Sequence, residues 1–259
     1  MNDNLPLVSV VIPCYNHQDY VEKSLKSVIE QTYKNVEIIV IDDGSKDNSV
    51  NVLKELQRNN QFILECQENM GVCKTLNKAI GMSKGKYIAI LASDDYWDLT
   101  KIEKQVKVLE SNLNSEFCFT QALEFDSKTN AKLRVFPKKP LSGNVLNSVF
   151  IRQHVPAGSM MFSKKLFDKL KGFDETLKEE DWDFVIRSAA NTNFTNIEEP
   201  LFFYRSHETN IMKTRGRKEI FKQKVLLLTK NFDLVSPFKW YISISIHFFY
   251  DIIFKGDKK

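Results

Sequence analysis

Four short runs that are apolar at nearly every position, Val8–Ile12, Val36–Ile41, Phe62–Leu64 and Tyr87–Leu91, restrict this chain to few folds. Such a run suits a strand covered on both faces, as in a parallel sheet, rather than one with a wet side. Between the runs fall residues at helical spacing: Val21, Leu25, Val28 and Ile29; Val52, Leu53 and Leu56; Val72, Leu76, Ala79 and Ile80. Strands alternating with helices in this rhythm predict βαβ units around a parallel sheet. The fourth run carries most information. It is introduced by Gly85-Lys86 and followed by Asp94-Asp95, and ligands of open α/β sheets bind just past the carboxyl ends of strands. Two adjacent carboxylates there repel each other unless a cation is near. Their hard oxygens favour Mg²⁺ or Mn²⁺, ions that usually engage phosphates as well. The competing reading of the pair is a solvated turn that caps the next helix.

The first two strands also end in polar groups, Pro13-Cys14-Tyr15-Asn16 and Asp42-Asp43-Gly44-Ser45. A flat base can stack on Tyr15, and Asp42 can accept from a ring N–H. Helix caps would explain each strand end alone, but caps need no shared edge. No GxGxxG follows the first strand, which argues against a dinucleotide oxidoreductase.

Thr100-Lys101-Ile102-Glu103 reads as a capping box, with Ile102, Val106, Leu109 and Leu113 as the buried stripe of the helix it opens. Beyond Asn114 the pattern changes. Phe117–Phe125 and Lys132–Phe136 read as strands joined by a polar turn, Met160–Phe162 as a third and Phe194–Ile197 as a fourth. Ser163–Lys171 reads as a short helix ended by a left-handed Gly172, and Glu180–Ala190 as another helix. The expected organisation is one domain over residues 1–212, with a nucleotide-binding half (1–114) and a mixed or antiparallel acceptor half (115–212). A basic, amphipathic helical tail, 213–259, follows.

At 259 residues, 42% hydrophobic and 27% charged, the chain is neither disordered nor a polytopic membrane protein by composition. The tail holds 11 Lys/Arg against 4 Asp/Glu, more than the whole net charge of +4. The basic surplus is therefore local and does not argue for nucleic acid. Cys14, Cys66, Cys73 and Cys118 lack CxxC spacing and are expected as buried, reduced thiols of a cytosolic protein. No signal peptide and no apolar run of bilayer length are expected. Within Trp240–Phe254, Ser243, His247 and Asp251 form one polar stripe on an otherwise apolar, aromatic helix, flanked by Lys239, Lys255, Lys258 and Lys259. That suits a helix lying in an anionic membrane interface over 232–259, or one packed on the domain or on a second copy.

Three other places offer chemistry. Glu179-Glu180-Asp181-Trp182-Asp183 opens a helix, where acids are favoured by the positive helix end in any case. Gly158 precedes an apolar strand, where a small residue allows a ligand near the backbone or simply makes a turn. Arg205 could neutralise phosphate, and His207 could complete a metal shell. His17, His154 and His247 show no ligand spacing.

Taken in order, Pro13-Cys14-Tyr15-Asn16, Val40-Ile41-Asp42-Asp43-Gly44-Ser45, Asn69-Met70-Gly71, Ala79, Gly85-Lys86-Tyr87-Ile88 and Ser93-Asp94-Asp95 resemble glycosyltransferase family 2, of the GT-A fold. The resemblance spans roughly Val8 to Asn210. It implies an inverting, metal-dependent transferase using a nucleotide-diphosphate sugar, UDP-linked by expectation, with a glycan or lipid-linked acceptor in surface polysaccharide assembly. It places Pro13, Tyr15 and Asp42 around the base and Asn69–Gly71 near the donor. Asp94 is then the metal ligand, Asp95 a neighbour that binds the ion or orients water, and Asp181 the base, with Glu180 an orienting group and Trp182 core or acceptor platform. The family's metal motif often begins with a further acid. Ala92 stands there in Leu91-Ala92-Ser93-Asp94-Asp95, so Ser93 or a water would replace a ribose contact. A nucleotidyltransferase and a non-catalytic nucleotide-sugar-binding scaffold are the alternatives.

Overall fold

The computed structural model describes residues 5–178, 180–208, 210 and 214–254. The four apolar runs form β1 (Val8–Cys14), β2 (Val36–Asp42), β3 (Ile63–Cys66) and β4 (Tyr87–Ile90), all parallel, in the spatial order β3-β2-β1-β4. The sheet then continues with strands of mixed direction: β8 (Met161–Ser163), β6 (Ser115–Asp126), β9 (Asn193–Ser206) and the two-residue β5 (Tyr96–Trp97), while β7 (Lys132–Phe136) pairs with β6. The mixed second half agrees with the expectation. Its strand β5 and the far end of β9 were not legible, because β5 has only two residues and β9 carries on past Pro200 by pairing with β6 and β5.

Successive residues of a strand point to opposite faces, and this divides the core in two. Val11, Ile39, Ile41 and Ile88 meet α3 (Val72–Met82), α5 (Leu146–Ile151), α6 (Lys164–Lys169), α7 (Glu180–Ala189) and α8 (Arg217–Lys230). Val10, Ile12, Val40 and Ala89 meet α1 (Val21–Ile29), α2 (Ser49–Asn59) and α4 (Lys101–Ser111).

Some local expectations fail for identifiable reasons. Thr100 makes no capping box: its Oγ1 and N–H both donate to Asp98 Oδ1 (2.6 and 2.9 Å), while Glu103 accepts from Thr32 Oγ1 at 2.6 Å. Helix α4 ends at Ser111, so Leu113 lies beyond it and is 94% exposed. Cys66 is exposed because β3 is an edge strand; Cys14, Cys73 and Cys118 are buried, and all four are free. After α6, Lys171 (φ +60°) and Gly172 (φ +77°) make the expected left-handed exit.

The tail helix α9 (Pro237–Phe248), continued by a wider π-turn over Phe249–Phe254, is amphipathic in the opposite sense to a soluble helix. Its polar stripe faces the protein. Ser243 Oγ donates to Phe150 O at 3.0 Å, His247 Nε2 lies 3.1 Å from Ile151 O, and buried Asp251 accepts from Lys224 Nζ at 2.7 Å. The outer face is apolar: Phe238 is 72%, Tyr241 66% and Phe254 79% exposed. Lys255, Lys258 and Lys259 lie outside the described residues.

A fully buried lysine sits at the start of α4. Lys101 Nζ donates to Gln105 Oε1 at 2.7 Å and lies 3.8 Å from the Trp97 ring centroid. Burial lowers its pKa from 10.5 to about 7, so the unfolded chain holds this proton over a range where the folded protein has released it. Stability contributed by this site therefore rises with pH between about 7 and 10.5. Relative to Lys101→Met, which keeps the length without the charge, the wild-type melting temperature is expected to rise by roughly 5 °C between pH 7 and 9 in differential scanning calorimetry.

Candidate active site

The loops after β1, β2 and β4 leave one edge of the sheet and are tied to each other. Asn16, in the left-handed region (φ +54°), donates its N–H to Ser45 Oγ at 2.9 Å and accepts from Lys46 N–H through Oδ1 at 2.7 Å. The residue expected to touch donor is thus a strut that joins the first two loops. Tyr15, beside it, is 44% exposed and free to present its ring, and Pro13 is half-buried in register with Ile41. Asp42 is 1% exposed; its Oδ1 accepts from Ser45 N–H at 2.9 Å, whereas its buried Oδ2 has no partner. A buried carboxylate oxygen without a donor costs free energy until one arrives.

Asp43, overlooked in the sequence, organises the next loop. It accepts from Gln67 Nε2 (2.8 Å), Met70 N–H (2.8 Å) and Gly71 N–H (2.9 Å). Burial opposes its charge, but these donors outweigh that and hold its carboxyl below the usual range. Gly71 enters α3 at φ +86°, a conformation that suits glycine. Asn69, one loop residue earlier, is exposed.

At the end of β4 the two acids have opposite roles. Asp95 is buried; its Oδ1 accepts from Arg205 N–H at 2.7 Å, and burial followed by the charge of Asp94 raises its carboxyl well above the usual value. It stands outside the group of candidate metal ligands and serves as the joint between β9 and the loop. Arg205 is also drawn inward. Its Nε donates to Asp94 O at 2.7 Å, and its guanidinium lies 4.8 Å from the Tyr20 and 4.9 Å from the Phe125 ring centroids. At 7% exposure it positions the acidic loop, in place of the phosphate contact expected for it.

Asp94 faces two imidazoles. Its Oδ2 lies 3.0 Å from His207 Nε2 and 3.8 Å from His17 Nε2. One ligand atom from each of His17, Asp94 and His207 can be chosen so that all lie within 4.8 Å of one another. Burial opposes the Asp94 charge, but the His207 hydrogen bond and then the His17 and His207 charges leave its carboxyl below the usual range. Burial lowers the His17 pKa, Asp94 partly offsets this, and His207 adds to it. Asn210 is oriented by His207 N–H on its Oδ1 (2.6 Å) and Arg205 O on its Nδ2 (3.2 Å). It presents Nδ2 to His207 Nε2 at 3.1 Å, so that nitrogen lies between the Asn210 amide and the Asp94 carboxylate. A cation can sit between the rings and the carboxylate, and one carboxylate with two imidazoles suits a divalent transition metal. These residues fit a metal ion.

Asp181, expected as the base, opens α7. Gln153 Nε2 lies 3.4 Å from its Oδ2, and burial raises its carboxyl against the smaller opposing pull of the Trp182 and Gln153 hydrogen bonds. The segment before α7 is joined to the first turn of α3: Cys73 Sγ lies 3.5 Å from Leu177 O, and burial followed by the Glu180 charge pushes the Cys73 thiol up to about 12. Glu180 thus stands near the start of α3, whose entry Asp43 holds. Trp182 is not an acceptor platform: it is 3% exposed, and its Nε1 donates to Val149 O at 2.6 Å. Gly158 admits no ligand either. A Cβ there would lie 2.5 Å from the Phe202 ring, and Gly158 O accepts from Trp97 Nε1 at 2.7 Å, so its smallness serves packing. His17, Asn210 and Asp43 were missed; His17 follows the first strand's polar end directly, the one signal that pointed to it.

Comparison with known proteins gives the family and the fold. The Glycosyl transferase family 2 profile matches residues 9–171. An uncharacterized glycosyltransferase of Methanocaldococcus jannaschii is 33% identical over 220 residues, 83% of this chain and 76% of that protein. TuaG of Bacillus subtilis, named for teichuronic acid biosynthesis, is 36% identical over 44% of this chain and 46% of its own length. Among solved structures, S. aureus TarS with UDP-GlcNAc superposes with TM-score 0.74 at 16% identity, over 94% of this chain and 73% of that one. The mannosyltransferase PcManGT of Pyrobaculum calidifontis, with GDP-Man and Mn²⁺, gives 0.68 at 17% identity, over 97% and 71%. By fold, strand-end chemistry and sequence, this chain belongs to glycosyltransferase family 2 and has the GT-A architecture.

Proposed function

We propose that the protein transfers a sugar, with inversion at the anomeric carbon, from a UDP-linked donor to a glycan or lipid-linked acceptor in surface polysaccharide assembly. The observation that carries the donor half is the partnerless, buried Oδ2 of Asp42 beside the exposed ring of Tyr15. A ring N–H of uracil can donate to that oxygen while the base stacks on Tyr15. UDP-GlcNAc bound to TarS and the name of TuaG favour a UDP-sugar and a polysaccharide product. The family assignment sets aside a nucleotidyltransferase, and a usable base at Asp181 speaks against a scaffold.

A divalent ion on Asp94 and His207, when bound, supplies positive charge to the leaving diphosphate. Exposed Asn69 and the N-terminus of α3 face the donor, and Glu180 orients the acceptor, while Ser93, buried against His17, does not replace the lost ribose contact. Asp181 accepts the acceptor's hydroxyl proton. Burial has raised its pKa, which strengthens it as a base but requires that it first lose its own proton. Activity should thus fall as pH drops through a value above the usual 3.8 of an aspartate.

Asp181→Asn is expected to lower kcat by about 10²–10⁴-fold while UDP affinity stays unchanged in calorimetry. Equal turnover would remove Asp181 as base. Asp94→Ala is expected to abolish transfer and also the gain in UDP affinity that Mn²⁺ confers.

No helix among the described residues is long and apolar enough to cross a membrane. The outward face of α9, with Phe238, Tyr241, Phe248 and Phe249, suits the interface of an anionic bilayer on its cytoplasmic side, helped by the tail's 11 basic residues. The protein should co-sediment with phosphatidylglycerol vesicles, less so in 0.5 M salt, and Phe238→Ser with Phe249→Ser should release it. Unchanged sedimentation of that variant, or self-association in place of vesicle binding, would overturn the membrane assignment.

A further inference from the structure

The chain carries a histidine where its acidic motif lacks a carboxylate. Ala92 stands at the start of Ala92-Ser93-Asp94-Asp95, so the β4 loop offers one carboxylate, Asp94, to an ion; Asp95 is committed to the Arg205 backbone. From the opposite loop, His17 reaches the same acid. Its Nδ1 lies 2.8 Å from the buried hydroxyl of Ser93, and this contact turns Nε2 toward Asp94 Oδ2. A hydrogen bond on one ring nitrogen is the usual device for orienting the other as a ligand. The two imidazole rings stand at 84° to each other with centroids 6.1 Å apart, and Tyr20 packs against both. With bonds of about 2.1 Å, ligands at right angles lie about 3 Å apart, close to the 3.0 Å between His207 Nε2 and Asp94 Oδ2. His17, at 3.8 Å from that oxygen, corresponds to an angle of about 130°, and a shift of a few tenths of an ångström would bring it to the roughly 3.4 Å of a tetrahedral pair.

We propose that His17 is a direct ligand of the catalytic metal, so that the ion is held by two imidazoles and one carboxylate in place of an acid-rich set. The proposal rests on the metal-dependent transferase reading above and deepens it. The consequence is a change of metal preference. Mg²⁺ favours oxygen ligands, whereas imidazole nitrogens favour the transition ions, so Mn²⁺ or Co²⁺ should bind well ahead of Mg²⁺. Position 17 then also couples two loops, because the segment that follows Tyr15 and the segment that carries Asp94 close on one ion. Donor base and donor diphosphate would be registered together.

The test is metal binding to the full chain, with and without UDP, independent of turnover. In Mn²⁺-loaded wild type, electron spin-echo modulation should report two coordinated imidazole nitrogens, and His17→Ala should leave one, with Mn²⁺ affinity lowered about 10-fold or more. The preference for Mn²⁺ over Mg²⁺ should narrow in the same variant. If the variant does not fold, the wild-type nitrogen count still decides. One imidazole in wild type, or equal Mn²⁺ affinity in His17→Ala, overturns the role of His17 and leaves the transferase assignment standing. Absence of any Mn²⁺ binding, even with UDP, would remove the metal site as a whole.

Discussion

Two neighbouring carboxylates, Asp94 and Asp95, are placed at the mouth of a parallel sheet, and the protein must keep both there without letting them repel each other out of position. It does so by giving them opposite environments. Asp95 is turned toward the backbone N–H of Arg205, where burial and its neighbour's charge favour the protonated form. Asp94 is turned toward two imidazoles, which favour the ionised form. The last strand in the chain, β9, is thereby locked to the loop after β4, and His207 and Asn210 arrive with it. A cation-π cage of Tyr20, Phe125 and Tyr96 around Arg205 secures the same joint.

The same economy of polar contacts recurs along the edge. Asn16 joins the first loop to the second, and Asp43 joins the second to the start of α3. Cys73 and Asn77 then join α3 to the segment before α7: Asn77 donates to Phe173 O and accepts from Phe173 N–H. Each loop is held by its predecessor, so the donor side and the acceptor side are built as one rim rather than as two independent pockets. Asp42 is the exception within this rim, since one of its oxygens remains without a donor. In a network otherwise so fully paired, an orphaned acceptor marks where a ligand's hydrogen belongs.

In the tail, one amphipathic helix turns its polar stripe inward, as expected of a helix packed on the domain. The stripe of Ser243, His247 and Asp251 faces inward because the carbonyls at the end of α5 and the ammonium of Lys224 offer it partners. Burial and the Lys224 charge lower the His247 pKa to about 4, so it docks as a neutral ring. Buried polar pairing leaves the aromatic face outside, and an apolar face of this kind on a surface helix marks an interaction surface.

The sequence by itself determined the βαβ half, the polar strand ends and the family, because apolar periodicity and short loop motifs are local properties. The acceptor-side helix α7 and the left-handed exit at Gly172 were legible for the same reason. What each polar residue does was decided only by tertiary structure. Arg205 and Asn16 became struts, Trp182 and Gly158 became packing elements, and Asp95 became a joint, since a side chain's task depends on which distant groups reach it. His17 shows this most plainly: nothing in its neighbourhood along the chain names a ligand. Its chemistry arises from Ser93, Asp94 and His207, which are separated from it by some 76 to 190 positions and brought together because β1, β4 and β9 run the same way and end at one edge of the sheet.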